Sequence, residues 1–478
     1  MSQIFRTITV REKFNDVEKD FWSSQCKISN SLFNVAIYQI RQAHFEKLNR
    51  SDSFATYWRG DEFRKGRKLV RIKANYPELY HQVKSNSNYK ALHSQAAQQT
   101  IKSVTESFSS FNELISLFFK GEVDRPSVPR YRKSGGMYSV TYPVQATTFI
   151  DGWAILPVSQ SVKHDLFFEP KVKIPDFVDT NLVREIRIRP SRGEFWVDWV
   201  CDDGKEEKEV NRDLNYGQYL AIDHGVKFWL SCVTSRGKSF IVEAPPLKTQ
   251  LHYYRDKVAS HKKGKPDKYW DEYLDSLAAK RNLQVRDAVN KAARFIINRC
   301  LKDKIGNLII GWNEGNKQKI SLGKKNNYEV VSMPTARLIR RLEELSKEYG
   351  IRLHVISEEY TSKASFLDRD ELHNLGEKPL TWKPSGKRTT RDTYRTKSGL
   401  TVHADINAAA NILRRFFQLN GLSKLKAQLL FKKLDGVLTD PKRYSIFCNM
   451  KKKYRKQTLL SPARVRLSAS LDHVVTSV

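Results

Sequence analysis

Gln218-Tyr219-Leu220-Ala221-Ile222-Asp223-His224-Gly225 is the stretch on which the reading of this chain turns. A short apolar run bounded by a turn residue is a buried strand, and Gly225 lets the backbone turn at its end. Going forward, Phe228 to Thr234 and Ser239 to Val242 are two more strands, with a turn at Ser235-Arg236-Gly237 between them. The three strands are therefore linked as hairpins. A long helical stretch follows, in which Val285, Val289, Ala292, Ile296 and Cys300 share one face. Asn307 to Trp312 is a buried strand. Pro334 opens a helix carrying Leu338, Leu342 and Leu345, and Gly350 ends it. Ile351 to Ile356 is the next strand. A polar insertion separates it from a helix over Ile406 to Phe417.

Strand-strand-strand-helix-strand-helix-strand-helix is the element order of the RNase H-like fold. Going backward from Gln218, residues 121–211 read as short strands punctuated by Pro126, Pro129, Gly135, Gly136 and Pro143. Ile186 and Ile188 alternate with charged residues, and Pro190-Ser191-Arg192-Gly193 turns the chain into Phe195 to Val200. That is a hairpin, expected in a small barrel which a first strand ending near Val10 joins. Residues 15–117 are mostly helical, with Phe33, Ala36, Ile37 and Ile40 on one face and Ala97, Ile101, Val104, Phe108 and Phe111 on another. Between those helices the basic stretch Arg59 to Lys73 carries Arg64, Lys65, Arg67, Lys68, Arg71 and Lys73. A solvated face and a phosphate-binding face weigh evenly there. The basic tail after Leu419 has no assigned place.

The bulk numbers narrow the function. A chain of 478 residues exceeds one ordinary core, so two to four domains are expected. Lys and Arg total 84 against 52 Asp and Glu, a formal charge of +32. Such an excess runs along the whole chain among Trp and Tyr and points to nucleic acid, whose phosphates release counterions to Lys and Arg. The five cysteines, Cys26, Cys201, Cys232, Cys300 and Cys448, form no Cys-x-x-Cys pair. No zinc ribbon is expected, and the usage suits a reducing cytoplasm. Met1-Ser-Gln-Ile-Phe-Arg lacks an apolar signal core, and no apolar run reaches the ~18 residues of a membrane span. The expectation is a protein of the bacterial cytoplasm or nucleoid with no membrane partner.

Phosphodiester cleavage needs carboxylates at one sheet edge to hold two Mg²⁺ ions about 3.5–4 Å apart. Asp223 ends the first strand of the triplet; a plain turn aspartate is the equal alternative. Asp405 precedes an apolar helix, where an N-cap is the bland reading, and Ala408 to Ala410 let that helix pack close. The third acid stays open between Glu314, after the strand at 307–312, and Glu358 or Glu359, after the strand at 351–356.

At these residues the chain resembles the transposon-encoded TnpB family of RNA-guided nucleases, related to type V CRISPR effectors. The most specific stretch is Glu358-Glu359-Tyr360-Thr361-Ser362-Lys363-Ala364-Ser365-Phe366-Leu367-Asp368. Asp287 with Asn290-Lys291, Gly311-Trp312-Asn313, Lys317-Gln318, Ser385-Gly386-Lys387-Arg388, Arg391, Tyr394 and Ala404-Asp405-Ile406-Asn407 add to it. Similarity extends back to Asn34, Tyr38, Arg41-Gln42, Gln98-Gln99 and Pro129-Arg130-Tyr131. The resemblance implies an α+β multidomain protein. A wedge β-barrel (1–14 and 121–211) is interrupted by a helical recognition domain (15–120). A RuvC, RNase H-like nuclease domain (212–420) follows, with an insertion at 361–400, then a basic tail (421–478). It implies a guide RNA, a double-stranded DNA target beside a short adjacent motif, and a Mg²⁺-dependent cut, with oligomeric state open and a monomer admissible.

The resemblance also assigns Asp223 as the first acid and Asp405 as the last. Where many members carry the middle glutamate this chain has Gly311, so Glu358 is expected to replace it across one strand, about 4.8 Å away, with Glu314 second. His224 follows Asp223 where an aliphatic residue is usual, and the zinc-ribbon cysteines are absent. Candidate nucleic-acid contacts are Arg64, Lys65, Arg67, Lys68, Arg71, Lys73, Arg130, Arg132, Lys387, Arg388 and Arg391. Two rival readings are a guided DNA binder with a weak or dead nuclease and a transposase-type strand-transfer enzyme.

Overall fold

The computed structural model describes residues 3–48, 54–59, 62–67, 69–208, 210–225, 227–313, 328, 331–374, 376–421 and 432–446, with backbone alone over 46–67. They fall into two compact units that meet in sequence between Asp203 and Gly204.

In the first unit β1 (Gln3–Glu12) leads into α1 (Asp16–Leu48). Next comes a hairpin of β2 (Phe54–Arg59) and β3 (Glu62–Arg67), where the sequence reading expected a basic link between helices. The aromatic residues explain the difference. Phe54, Tyr57 and Trp58 favour extended backbone, and Trp58 sits opposite Phe63 in the register. Arg64, Lys65 and Arg67 are strand residues as a result, while Lys68 lies outside the described residues. Three helices follow, α2 (Tyr76–Val83), α3 (Ser87–Ala91) and α4 (Ser94–Phe119). The expected faces of α1 and α4 are buried in one core, Phe33, Ala36, Ile37 and Ile40 with Ala97, Ile101, Val104, Phe108 and Phe111.

The strands of this unit are β4 (Val140–Pro143), β5 (Thr148–Ile150), β6 (Trp153–Ile155), β7 (Lys171–Lys173), β8 (Val183–Ser191) and β9 (Glu194–Glu206), with α5 (Gln160–Lys163) between β6 and β7. The turn between β8 and β9 is Arg192-Gly193, both with positive φ (52° and 73°), which matches hairpin twist. Strand order is β1-β9-β8-β4 in one sheet and β5-β6-β7 in another. Among the described residues these sheets do not close into the expected barrel. The outer ladder is too short: β5, β6 and β7 have three residues each, and Pro143 removes a donor from edge strand β4.

The second unit holds β10 (Asn215–His224), β11 (Leu230–Thr234), β12 (Lys238–Glu243), α6 (Pro245–Lys262), α7 (Glu272–Lys302), β13 (Ile305–Gly311), α8 (Thr335–Tyr349) and β14 (Arg352–Ile356). Then come β15 (Lys387–Arg388), β16 (Thr393–Arg395), β17 (Thr401–His403), α9 (Ala404–Leu419) and β18 (Lys442–Ser445). The main sheet has the order β14-β13-β10-β11-β12-β18. β10, β11 and β12 are antiparallel; β13 is parallel to β10 and β14 to β13. Gly350, with φ 69°, ends α8 as the sequence reading expects. Part of the unassigned tail is β18, an edge strand parallel to β12, where the Tyr444 ring lies 5.2 Å from Phe295 and 5.9 Å from Phe240.

Two-residue alternation sorts the sheet's faces. Leu220 and Ile222 of β10, with Leu308 and Ile310 of β13, pack on α7 and α8. Ala221 and Ile309 face the other way, onto α9, where Ile406, Ala409, Ala410, Ile412, Leu413, Phe416 and Phe417 are buried. Each of those Ile, Leu and Phe side chains contributes about 1.5–3 kcal/mol by leaving water. The same alternation places Asp223 and Gly311 at strand ends on the α9 face. No described helix is long and apolar enough to cross a membrane.

Candidate active site

Asp223 sits near the carboxyl end of the central strand β10, opposite Ser231 of β11. Asp405 is the second residue of α9. The N-cap is His403, without a side-chain cap bond, so Asp405 is a first-turn acid rather than the cap that the bland reading expected. Its carboxylate faces the helix's positive end. Glu358 lies two residues past β14. Its backbone N–H donates to Asn313 Oδ1 at 3.2 Å, and its carbonyl accepts from Thr361 Oγ1 at 2.7 Å. The loop after β13 therefore holds the loop after β14.

Two glycines make the room. A Cβ on Gly225 would lie 2.6 Å from the Phe228 carbonyl oxygen and 3.8 Å from Asp405 Oδ2. A Cβ on Gly311 would lie 3.1 Å from the Glu358 Cβ and 2.5 Å from Ile412 Cδ1. Glu358 starts its side chain in the space that a residue at 311 would use.

Electrostatically Asp223 stands within the field of both other acids. Burial, then the charges of Asp405 and Glu358, push the Asp223 carboxyl well above its usual range, with Arg388 opposing. Burial, then Glu359, raises Glu358 to about 7. His224 Nε2 stands 3.8 Å from Glu358 Oε2, and its ring lies 5.2 Å from Trp312. Arg388 Nη2 donates to Asp405 Oδ1 at 2.7 Å. The three half-buried carboxylates are hard oxygen donors, the type that suits Mg²⁺. Yet among the described residues no three His, Cys, Asp or Glu side chains converge closely enough to hold an ion. Glu314 lies outside the described residues.

The stretch from Glu359 to Asp370 is pinned to α9 by residues that the sequence reading missed. Asn407 accepts from Phe366 N–H at 2.9 Å and donates to the Ala364 carbonyl at 2.8 Å. Asn411 donates to the carbonyls of Thr361 and Ala364 at 2.9 and 2.7 Å. Arg415 donates to the carbonyls of Glu359 and His373 at 2.6 and 2.9 Å, and Arg414 to that of Asp370 at 2.5 Å. Asp370 in turn accepts from the N–H groups of Ser365 and Ser385. The insertion is thus held by packing and hydrogen bonds. The visible signal was polar residues at i, i+4 and i+7 inside an otherwise apolar helix.

The predicted nucleic-acid contacts divide. Lys387 and Arg391 are exposed, while Arg388 is engaged by Asp405 and the Arg391 carbonyl. In the first unit α1 clamps the loop 129–133. Arg41 donates to the Pro129 carbonyl at 2.7 Å, Asn34 to that of Arg132 at 3.1 Å, and Asn30 to that of Lys133 at 3.0 Å. Arg132 lies over the Tyr138 ring at 4.3 Å, and Arg130 projects exposed beside it in sequence. Arg71 donates to Ser116, and Lys73 is exposed.

Comparison with known proteins adds two matches. Residues 204–317 match the family model OrfB_IS605, described as a probable transposase, and residues 336–412 match the Cas12f1-like TNB domain. The resemblance to the TnpB and type V effector group holds over those stretches. No curated protein matches. Among solved structures, a Cas12f1–sgRNA–target DNA complex is similar with a TM-score of 0.47 at 12% identity, covering 84% of this chain and 83% of that one. The mini-RNA-guided endonuclease CRISPR-Cas_phi3 has a TM-score of 0.44 at 9% identity, over 86% and 92%. The C2c1–single-guide RNA complex of Alicyclobacillus acidoterrestris has 0.33 at 8%, over 84% and 70%.

Proposed function

We propose, from a chain matching the OrfB_IS605 and Cas12f1-like TNB models, that this protein is an RNA-guided DNA endonuclease. The observation that carries the reading is the approach of Glu358 and Asp405 to the carboxyl end of β10 and β13. A Cβ at Gly311 would lie 3.1 Å from Glu358 Cβ and one at Gly225 3.8 Å from Asp405 Oδ2, with both charges felt by Asp223. The strand order around β10 supports an RNase H-like, RuvC-type nuclease unit, and the sheets and helices of 5–203 support a wedge and recognition unit. The +32 charge supports polyanionic partners.

In this reading the guide RNA reads sequence by pairing, and the protein holds the heteroduplex by its backbone and a short duplex motif by its bases. Asp223, Glu358 and Asp405 would hold the Mg²⁺ pair. The chemistry that pair supplies when bound is neutralisation of phosphate oxygens and activation of an attacking water. The protein's own part is placement. β10, α9 and the loop after β14 fix three carboxylates, Asn313 and Thr361 set the Glu358 backbone, and Asn407 and Asn411 hold the loop that follows. The apolar α9 face keeps water from the sheet side.

One observation favours a guided DNA binder with a weak nuclease: no three ligands converge among the described residues. The test is to purify the protein expressed with its flanking DNA, sequence the bound RNA, and incubate the complex with Mg²⁺ and plasmids carrying a matching target and a randomised flank. A defined RNA and target-dependent cutting are expected. Defined RNA with target binding and no cut assigns the binder. Site-specific cutting without RNA assigns the transposase-type reading.

A further inference from the structure

We propose that a cleft in the first unit takes one unpaired nucleotide, with its base inward and its phosphate at the arginines that line it. The cleft holds about 290 Å³ between α1, α4, residues 69–70 and the loop 125–130. This rests on the nucleic-acid part of the function proposed above, and the carboxylates take no part in it.

Each wall of the cleft is fixed by hydrogen bonds. One wall is the C-terminal half of α1, with Arg41, His44 and Phe45. A second is Leu69 and Val70 beside Phe111 of α4. There Asn112 accepts from the Ile72 N–H and donates to the Ile72 carbonyl, both at 2.9 Å, which ties the segment to the helix. The third wall is the loop 125–130. Arg41 Nη1 donates to its Pro129 carbonyl at 2.7 Å, and just beyond it Asn34 accepts from the Arg132 N–H at 2.8 Å. The cleft is formed before any ligand arrives, as ligand sites usually are.

The lining sets the chemistry of the ligand. Phe45, Leu69, Val70, Phe111 and Val128 give apolar surface, two of them aromatic. Arg41, Arg125 and Arg130 give positive charge, and among the described residues no Asp or Glu lines the cleft. The Arg41 guanidinium lies 5.0 Å from the Phe45 ring and 5.3 Å from that of Tyr131, so charge and ring surface stand side by side. A flat apolar body carrying an anionic group matches both. A nucleotide is such a body: its base stacks on aromatic rings and guanidinium planes, and its phosphate accepts from arginine. The volume lies at the small end of ligand sites, about 300–1,000 Å³, which leaves room for one base and not for a stacked pair. The nucleotide is therefore unpaired and turned out of its strand.

The test uses the purified full-length protein and two single-stranded dodecamers, one RNA and one DNA, each with a single central 5-iodouracil base. Ultraviolet crosslinking followed by peptide mass spectrometry locates that base on the protein. The expected result is a crosslink at Phe45 or Phe111, and the strand that forms it, RNA or DNA, identifies the source of the nucleotide. Val70→Trp fills the cleft and Arg125→Gln removes one of its charges, with thermal melting to check each fold. Each should lower that crosslink about fivefold or more, the scale of one base losing its stacking partner. Crosslinks confined to other segments while both strands bind overturn the proposal from the parent protein alone. So does an unchanged yield at Phe45 and Phe111 in both variants. Failure of either strand to bind at all overturns the nucleic-acid reading and the proposal together.

Discussion

Gly311 and Glu358 compete for one space: a Cβ at 311 would lie 3.1 Å from the Glu358 Cβ. The β13–β14 register explains it, because Gly311 pairs with Ile356 and the chain then carries Glu358 back over the end of β13. A glutamate from the loop after the neighbouring strand thus enters the place that a side chain at the end of β13 would fill. Gly311→Ala is expected to destabilise the protein by about 1–3 kcal/mol, as overpacking does, and to slow cutting by moving Glu358. Thermal melts and single-turnover cleavage check both.

Glu358 imposes a pH dependence on the metal-free protein. Its carboxyl is raised to about 7 from 4.5, chiefly by burial. A raised acid leaves stability intact below pH 4.5 and removes it as pH climbs through 7, with a limit on the order of 3 kcal/mol. Glu358→Gln should therefore melt higher than the parent at pH 8 in EDTA, with the advantage shrinking toward pH 5. Equal differences at both pH values would contradict the assignment.

Asn411 carries two buried hydrogen bonds to the carbonyls of Thr361 and Ala364. Asn411→Ala removes the Asn411 donor from the Thr361 carbonyl, at about 1–3 kcal/mol, while the Ala364 carbonyl keeps its bond from Asn407. Because the same loop begins at Glu358, cutting should fall while RNA binding persists. Melting, filter binding and cleavage of the one variant separate the effects.

Arg130 is exposed on a loop clamped by Arg41, Asn34 and Asn30, so it can meet a phosphate without reordering. Arg130→Ala should weaken nucleic-acid binding across sequences and reduce the slope of log affinity against log salt by about 1. Arg132, stacked on Tyr138, should lower stability when removed. An unchanged salt slope in Arg130→Ala would count against a phosphate contact.

Long periodic elements were readable in advance. The β10 run, the Leu338–Leu345 face, the Gly350 stop and the α9 helix depend on local pattern, and the structure has them where pattern predicts. The choice of Glu358 over Glu314 rests on resemblance, since nothing local distinguishes the two. The β2–β3 hairpin escaped because its basic residues, as many as its aromatics, mask the strand signal. Strand β18 escaped because Lys442-Arg443-Tyr444-Ser445 has no apolar run, and its place comes from pairing with β12. The Arg388–Asp405 pair and the Asn407 and Asn411 bonds join residues 17 to 50 positions apart, which no single-sequence period encodes.

The most direct measurement compares Glu358→Ala with Glu314→Ala in the RNA-loaded complex, assayed for Mg²⁺-dependent cutting of a matched target at equal RNA occupancy. The account predicts that Glu358→Ala abolishes cutting and keeps RNA and target binding, while Glu314→Ala retains most activity. Full activity in Glu358→Ala with loss in Glu314→Ala would contradict it and move the middle carboxylate to Glu314.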